Sequence, residues 1–176
     1  MSTYPNSGSF SIETVIPSPT KEPSLPPTQF GFSSESGELI TINDQDVYTD
    51  ITTNSYVTNT LGINFTLSDE TNGELTYNGI PSFIEISYVL SISAAAGIIQ
   101  TTIACFTDEG TGYTDTEVSG SITHAKVPTD SSITIVSKFI SFFNTGTKFK
   151  LRIRNNDSDE NYTLLTSIIT AKNFVS

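Results

Sequence analysis

Nucleophilic chemistry in this chain has few places to start. His124 is its one imidazole and Cys105 its one thiol, so a Cys–His pair would need these two side chains to meet. Cys105 lies in the apolar run 103–106, where a thiol reads as buried and inert. The chain has no G-x-S-x-G, no phosphate-cradling Walker loop, no H-E-x-x-H and no G-x-G-x-x-G; Gly110 and Gly112 make only a lone G-x-G in a turn. A pair of glycosidase carboxylates needs only proximity in space, but no pair stands out and the sugar-stacking Trp is absent. These residues point away from an enzyme and imply no organic cofactor.

Oxygen ligands and aromatic side chains offer more. Asp108 and Glu109, with Asp115 and Glu117 across a glycine-containing turn, present the hard oxygens that Ca2+ takes, and Asp157, Asp159 and Glu160 form a second acidic group. Neither follows the spacing of a defined calcium loop, so a solvated acidic turn is the competing reading for both. Tyr113 in the first acidic loop, and Tyr56, are candidates to touch a receptor or glycan, against simple local packing. Lys148, Lys150, Arg152 and Arg154 alternate with Phe149, Leu151 and Ile153, which predicts a strand with one basic face open to an acidic partner. That partner includes the acidic N-terminal part of a neighbouring copy.

The charge balance narrows the partners. Nineteen acidic against eight basic side chains give −11, unsuited to nucleic acid or to an anionic membrane surface, both of which need clustered Lys and Arg. The charge is uneven: residues 1–125 carry fifteen acidic groups and only Lys21, while 126–176 carry seven basic and four acidic. One cysteine makes no intrachain disulfide. Residues 1–11 have neither a basic nor an apolar leader segment, so no signal peptide is expected, and apolar runs such as 94–99 are too short to span a bilayer.

The elements that must position these groups are strands. Ile, Val and Thr number 20, 8 and 27, against six Ala, nine Leu and one Met, a composition that excludes a helical bundle. Period-two runs separated by turn residues predict strands over 38–42, 47–53, 62–67, 74–77, 82–93, 98–107, 117–125, 131–143, 148–154 and 162–175. The fold class is therefore all-β, an antiparallel β-sandwich or jelly roll over 38–176. Residues 1–37 hold six of the eight prolines, among them Pro17, Pro19, Pro23, Pro26 and Pro27, and read as an extended anchoring arm rather than part of a sheet. Two strands are apolar on both sides: 131–143 sets Ile133, Ile135, Phe139 and Phe143 against Val136, Ile140 and Phe142, and 162–175 sets Leu164, Ile168 and Phe174 against Leu165, Ile169 and Val175. Their second faces need cover, either from a loop or the arm or from another subunit.

The stretches GELTYNGIPSFIEISYVLSIS, IIQTTIACFTDEG, SSITIVSKFISFFNTGTKFKLRIRNN and YTLLTSIITAKNFVS, together 73–176 with gaps, resemble the TNF/C1q-like jelly roll, especially its versions in phage and other viral structural proteins. In that family a short strand ends in a glycine-containing turn, a long aromatic strand follows, and a two-faced strand closes the domain. The chain departs from it at Gly146-Thr147, where the family commonly has Gly-Asp, and lacks the Cys and Trp of the animal cytokine and complement members. The resemblance implies a homotrimer, with Val136, Ile140, Phe142, Leu165, Ile169 and Val175 at the threefold interface. It further implies a virion structural protein assembled in the host cytoplasm: a capsid decoration, head-fibre or minor capsid component whose arm docks on a major capsid or other virion protein. The alternative is the receptor- or glycan-binding tip of a tail fibre, using loops opposite the arm.

Overall fold

The computed structural model describes residues 27–54, 56–60, 62, 64–113, 117–129 and 131–174, and every regular element among them is a strand. In chain order these are β1 (Thr28–Ile40), β2 (Thr49–Asp50), β3 (Val57–Thr60), β4 (Phe65–Asp69), β5 (Glu74–Tyr77), β6 (Ser82–Ala94), β7 (Ile98–Asp108), β8 (Thr123–Pro128), β9 (Ile133–Phe143), β10 (Lys148–Asn155) and β11 (Tyr162–Asn173). Two antiparallel sheets face each other, one in the order β3-β1-β11-β6-β9 and the other β4-β5-β10-β7-β8, with β2 beside β10. This is a jelly roll, its first and last strands adjacent inside one sheet.

Alternation builds the core. On β6 every even-numbered residue from Ile84 to Ala94 is buried, as Ile135, Phe139 and Phe143 are on β9 and Phe149, Leu151 and Ile153 on β10. At one end Phe65, Tyr77, Phe143 and Phe149 pack as an aromatic group, neighbouring ring centroids 5.1–6.4 Å apart. The Tyr77 hydroxyl donates to the Ile80 carbonyl at 2.6 Å, so its polar atom is satisfied inside this cluster. Thr28, Asn173, Ser82 and Lys148 mark this end, where the chain enters β1; Ile40, Tyr162, Ala94 and Asn155 mark the opposite end.

Three expectations need revision. The sheet begins at Thr28, ten residues before the expected domain boundary at 38: β1 pairs with β11 from Thr28↔Ala171 onward. Of the five prolines named in the expected arm only Pro27 is described, exposed just ahead of the strand; Pro17, Pro19, Pro23 and Pro26 lie outside the described residues. The segment 47–53 forms a strand only at Thr49–Asp50, and the strand expected over 117–125 is Thr123–Pro128, with Pro128 tolerated at the end of an edge strand. Third, β11 does not keep one parity. The β6 register shifts between Leu164 and Thr166, and beside it the β1 register shifts between Ser33 and Glu38. Leu165 is the extra residue, so beyond it Ser167, Ile169 and Ala171 point inward and Ile168 points out.

Candidate assembly surface

The outward face of the five-stranded sheet carries large apolar side chains in the open. Val136 is 67% exposed, Phe83 56%, Phe142 50% and Ile140 42%. They are cross-strand neighbours: Phe83 stands opposite Phe142 with ring centroids 5.4 Å apart, and Val89 lies between Val136 on β9 and half-buried Ile168 on β11. Val136, Ile140 and Phe142 thus occupy the face expected of interface residues, and Leu165 is half-buried at the bulge. Ile169 does not belong there: it is 2% exposed and sits in the core, because the bulge reverses parity below Leu165. Val175 lies outside the described residues.

The outward charges of β6, β9 and β11 form one group. Glu85 accepts from Lys138 at 2.8 Å and from Lys172 at 2.9 Å, bridging three adjacent strands. Burial would raise the Glu85 carboxyl, but the two ammonium groups hold it below the usual carboxylate range. Two cations on one anion leave this three-residue group with a net charge of +1.

The opposite sheet treats its charges differently. The alternating residues of β10 do point away from the core, yet they are covered. Asp50 of β2 accepts from Lys150 Nζ at 2.5 Å and Arg152 Nε at 2.8 Å, and the Lys150 side chain is only 8% exposed. Lys148 meets Glu74 at 3.2 Å. Tyr113 folds back over the strand: its hydroxyl donates to Glu74 at 2.6 Å and its ring lies 4.3 Å from Lys150 Nζ and 5.3 Å from the Arg152 guanidinium. Tyr48 does the same for Arg154 at 4.7 Å. Burial pushes the Tyr113 hydroxyl far up, with the neighbouring Glu74 adding to it, and pushes Tyr48 up to about 12. Burial would raise Glu74 too, but Tyr113, Ser68 and Lys148 keep its carboxyl below the ordinary value. What the alternation marked as an open basic strip is a layer of cations held between carboxylates and aromatic rings.

The remaining candidates separate. Cys105 is fully buried on β7, and burial pushes its thiol up; His124 is exposed on β8, opposite Thr102, with Nδ1 3.0 Å from the Thr102 hydroxyl. Cys105 faces the core and His124 the outside of the same sheet, so they form no pair. In the first acidic loop Asp108 Oδ1 accepts from Gly110 N at 2.7 Å and Gly112 N at 2.9 Å, and Glu109 accepts from Asn144 at 3.2 Å. Glu117 turns toward Tyr48 and Arg154, and Asp115 lies outside the described residues. In the other acidic loop Asp157 accepts the Gln100 amide at 2.7 Å, and Asn155 Oδ1 accepts the Asp157 and Ser158 amides. No three acidic, His or Cys groups converge on a metal position among the described residues. Tyr56, 2% exposed, donates to Ser167 inside the core.

No family model and no curated protein matches the sequence. Solved structures do match. Eiger TNF from S. frugiperda superposes with TM-score 0.59 at 13% identity, over 88% of this chain and 95% of that one. Murine APRIL at pH 5.0 gives 0.52 at 8% identity, over 84% and 99%. The PRD1 vertex protein P5 gives 0.50 at 14% identity, over 87% and 99%. The fold is the TNF/C1q-like jelly roll. At these identities the likeness is one of fold.

Proposed function

We propose that this protein is a structural component of a virus particle, a homotrimeric jelly-roll head carried as a capsid decoration, head fibre or minor capsid protein and fastened through its Pro-rich N-terminal segment. The observation that carries the reading is the outward face of the five-stranded sheet. Four large apolar side chains each 42–67% exposed lie together there, although the same chain covers its charged strand β10 with care. Apolar area of this kind favours association by about 25 cal/mol per Å2 removed from water. Association around a threefold axis removes it in all copies at once. The vertex protein among the similar folds supports placing the head on a particle surface. Assembly in the host cytoplasm, with the virion as destination, follows from the same reading.

Sedimentation of the full chain at micromolar concentration tests the first half: three chains per particle are expected, and a monomer overturns it. Deleting residues 1–26 tests the second half. Loss of incorporation into particles with the head still folded is expected; unchanged incorporation removes the anchoring role.

A further inference from the structure

At the end of the molecule opposite the chain's entry, the outer face of β7 and β8 holds a polar group apart from the covered cations of β10. Lys126 stands opposite Gln100 and His124 opposite Thr102, while Arg154 of β10 lies on the other side of Thr102. Beside them opens a cleft of about 310 Å3 lined by Gln100, Thr101, His124, Ala125, Lys126 and Asn156. Its lining is polar apart from Ala125, so it suits no apolar ligand.

A chain of hydrogen bonds fixes what the cleft presents. The Arg154 guanidinium can only donate, so the Asn156 atom 3.0 Å from its Nε is the carbonyl Oδ1. The Asn156 Nδ2 is then the atom that donates to the Thr102 hydroxyl at 2.9 Å. Thr102, itself fully buried, has one proton to donate in turn. His124 Nδ1 at 3.0 Å is nearer than Asn156 Oδ1 at 3.3 Å, and Oδ1 already accepts from Arg154. Nδ1 therefore accepts, and Nε2 carries the ring proton on the side of the imidazole away from Thr102. The exposed Lys126 ammonium and Gln100 amide have no partner among the described residues. Three donor side chains thus border one cleft. Arg154 adds little charge to it, being turned to the Tyr48 ring and Glu117. The carboxylate beside the donors is Asp157, which accepts the Gln100 backbone amide at 2.7 Å.

We propose that this cleft binds an acidic monosaccharide, its carboxylate held by Lys126, His124 and Gln100 and one of its hydroxyls donating to Asp157. A single positive side chain matches a single carboxylate. A bare anion gains less, because Asp157 repels it and it brings no hydroxyl to donate. The cleft is at the small end of the range for small-molecule sites and suits one sugar residue rather than a long chain. Thr102 and Asn156 are positioning residues. The inference stands whether or not the head trimerises or belongs to a virion.

Titration of the isotope-labelled full chain, read by amide chemical shifts, tests it. The probes are the methyl glycosides of N-acetylneuraminic acid and of glucuronic acid, which separate a sialic from a uronic acid ligand. Saturable shifts at Gln100, Thr101, His124 and Lys126 are expected with at least one of them, at a Kd on the order of 1 mM. Methyl galactoside, acetate and a capped glutamate peptide are expected to bind at least about fivefold more weakly. Lys126→Gln alters an exposed side chain, leaves the fold intact and is expected to weaken binding about tenfold. Thr102→Val is expected to weaken it by releasing the His124 ring, and Thr102→Ser, which keeps the hydroxyl, to restore it. No saturable shift with either sugar acid overturns the proposal. So does acetate or the glutamate peptide binding as tightly as the sugar acids, or an unchanged Kd in Lys126→Gln. An unchanged Kd in Thr102→Val overturns the positioning role.

Discussion

The two sheets expose opposite solutions to the same problem. On the outside of the β4-β5-β10-β7-β8 sheet, four cations are matched within the chain by Asp50, Glu74 and the rings of Tyr48 and Tyr113. On the outside of the β3-β1-β11-β6-β9 sheet, Phe83, Val136, Ile140 and Phe142 have no such cover among the described residues. One face is finished by its own loops. The other stays open among the described residues, and the proposed function rests on that difference more than on any single residue.

The comparison can be broken first where the expected effect is largest. Val136→Asp with Ile140→Asp places charge in the middle of the open face. Sedimentation is expected to shift from trimer to monomer, and an unchanged oligomer puts the interface elsewhere. Second, Asp50→Ala removes the carboxylate shared by Lys150 and Arg152 and strands a nearly buried ammonium. Because Asp50 keeps 27% of its side chain in water, the expected loss is on the order of 2–3 kcal/mol, below the 3–5 of a fully buried pair, read by urea unfolding. No change in oligomeric state should accompany it, since this face is already closed. Third, Tyr113→Phe should cost about 1 kcal/mol by removing the bond to Glu74, and Tyr113→Ala about 2 by removing the ring over Lys150 as well. Equal losses in the two variants would deny the ring a role.

The smallest effect is the most discriminating. Glu85→Gln leaves Lys138 and Lys172 facing each other across β6; in the isolated head, with those side chains 58% and 44% exposed, it should cost below about 1 kcal/mol and less in high salt. If the face closes against other copies, the same change weakens association far more than it weakens the fold. Acid acts on both faces through Glu74 and Glu85, whose carboxyls are held below the ordinary value of 4.5. A depressed folded value means their contribution is whole above that pH, shrinks as the pH falls through and below it, and is gone once the folded value is passed. Unfolding midpoints compared at neutral pH and at about pH 3.5 should show this loss, smaller in Glu85→Gln.

Much of this was legible in the residues, for identifiable reasons. The strict alternation of 148–154 gave β10 and its buried face, and the double apolar pattern of 131–143 gave both sides of β9, because a regular strand obeys period two along its length. β11 broke that rule at Leu165: a bulge costs one residue of register and leaves no composition signal, so Ile168 and Ile169 exchanged places. Residues 28–37 of β1 read as arm because they are rich in Ser and Gly and follow two prolines; only the pairing with β11, more than 120 residues away, makes them strand. The cover over β10 was hidden for the same reason. Glu74 and Tyr113 are 39 residues apart, and Asp50 and Lys150 100 apart, distances at which sequence proximity says nothing.

The adjacency of β1 and β11 has a consequence for how the protein is made. β11 is the central strand of its sheet, paired on one side with β1 and on the other with β6. A ribosome delivers it after all ten of its companions, so until residues 162–173 emerge the first strand has no lasting neighbour on that side and the apolar surfaces of β6 and β9 stay unsupported. Folding of this sheet must wait for β11, which makes it slow by topology and exposes the nascent chain to aggregation. A stop codon within residues 162–173 would remove the keystone of the sheet rather than trim an edge.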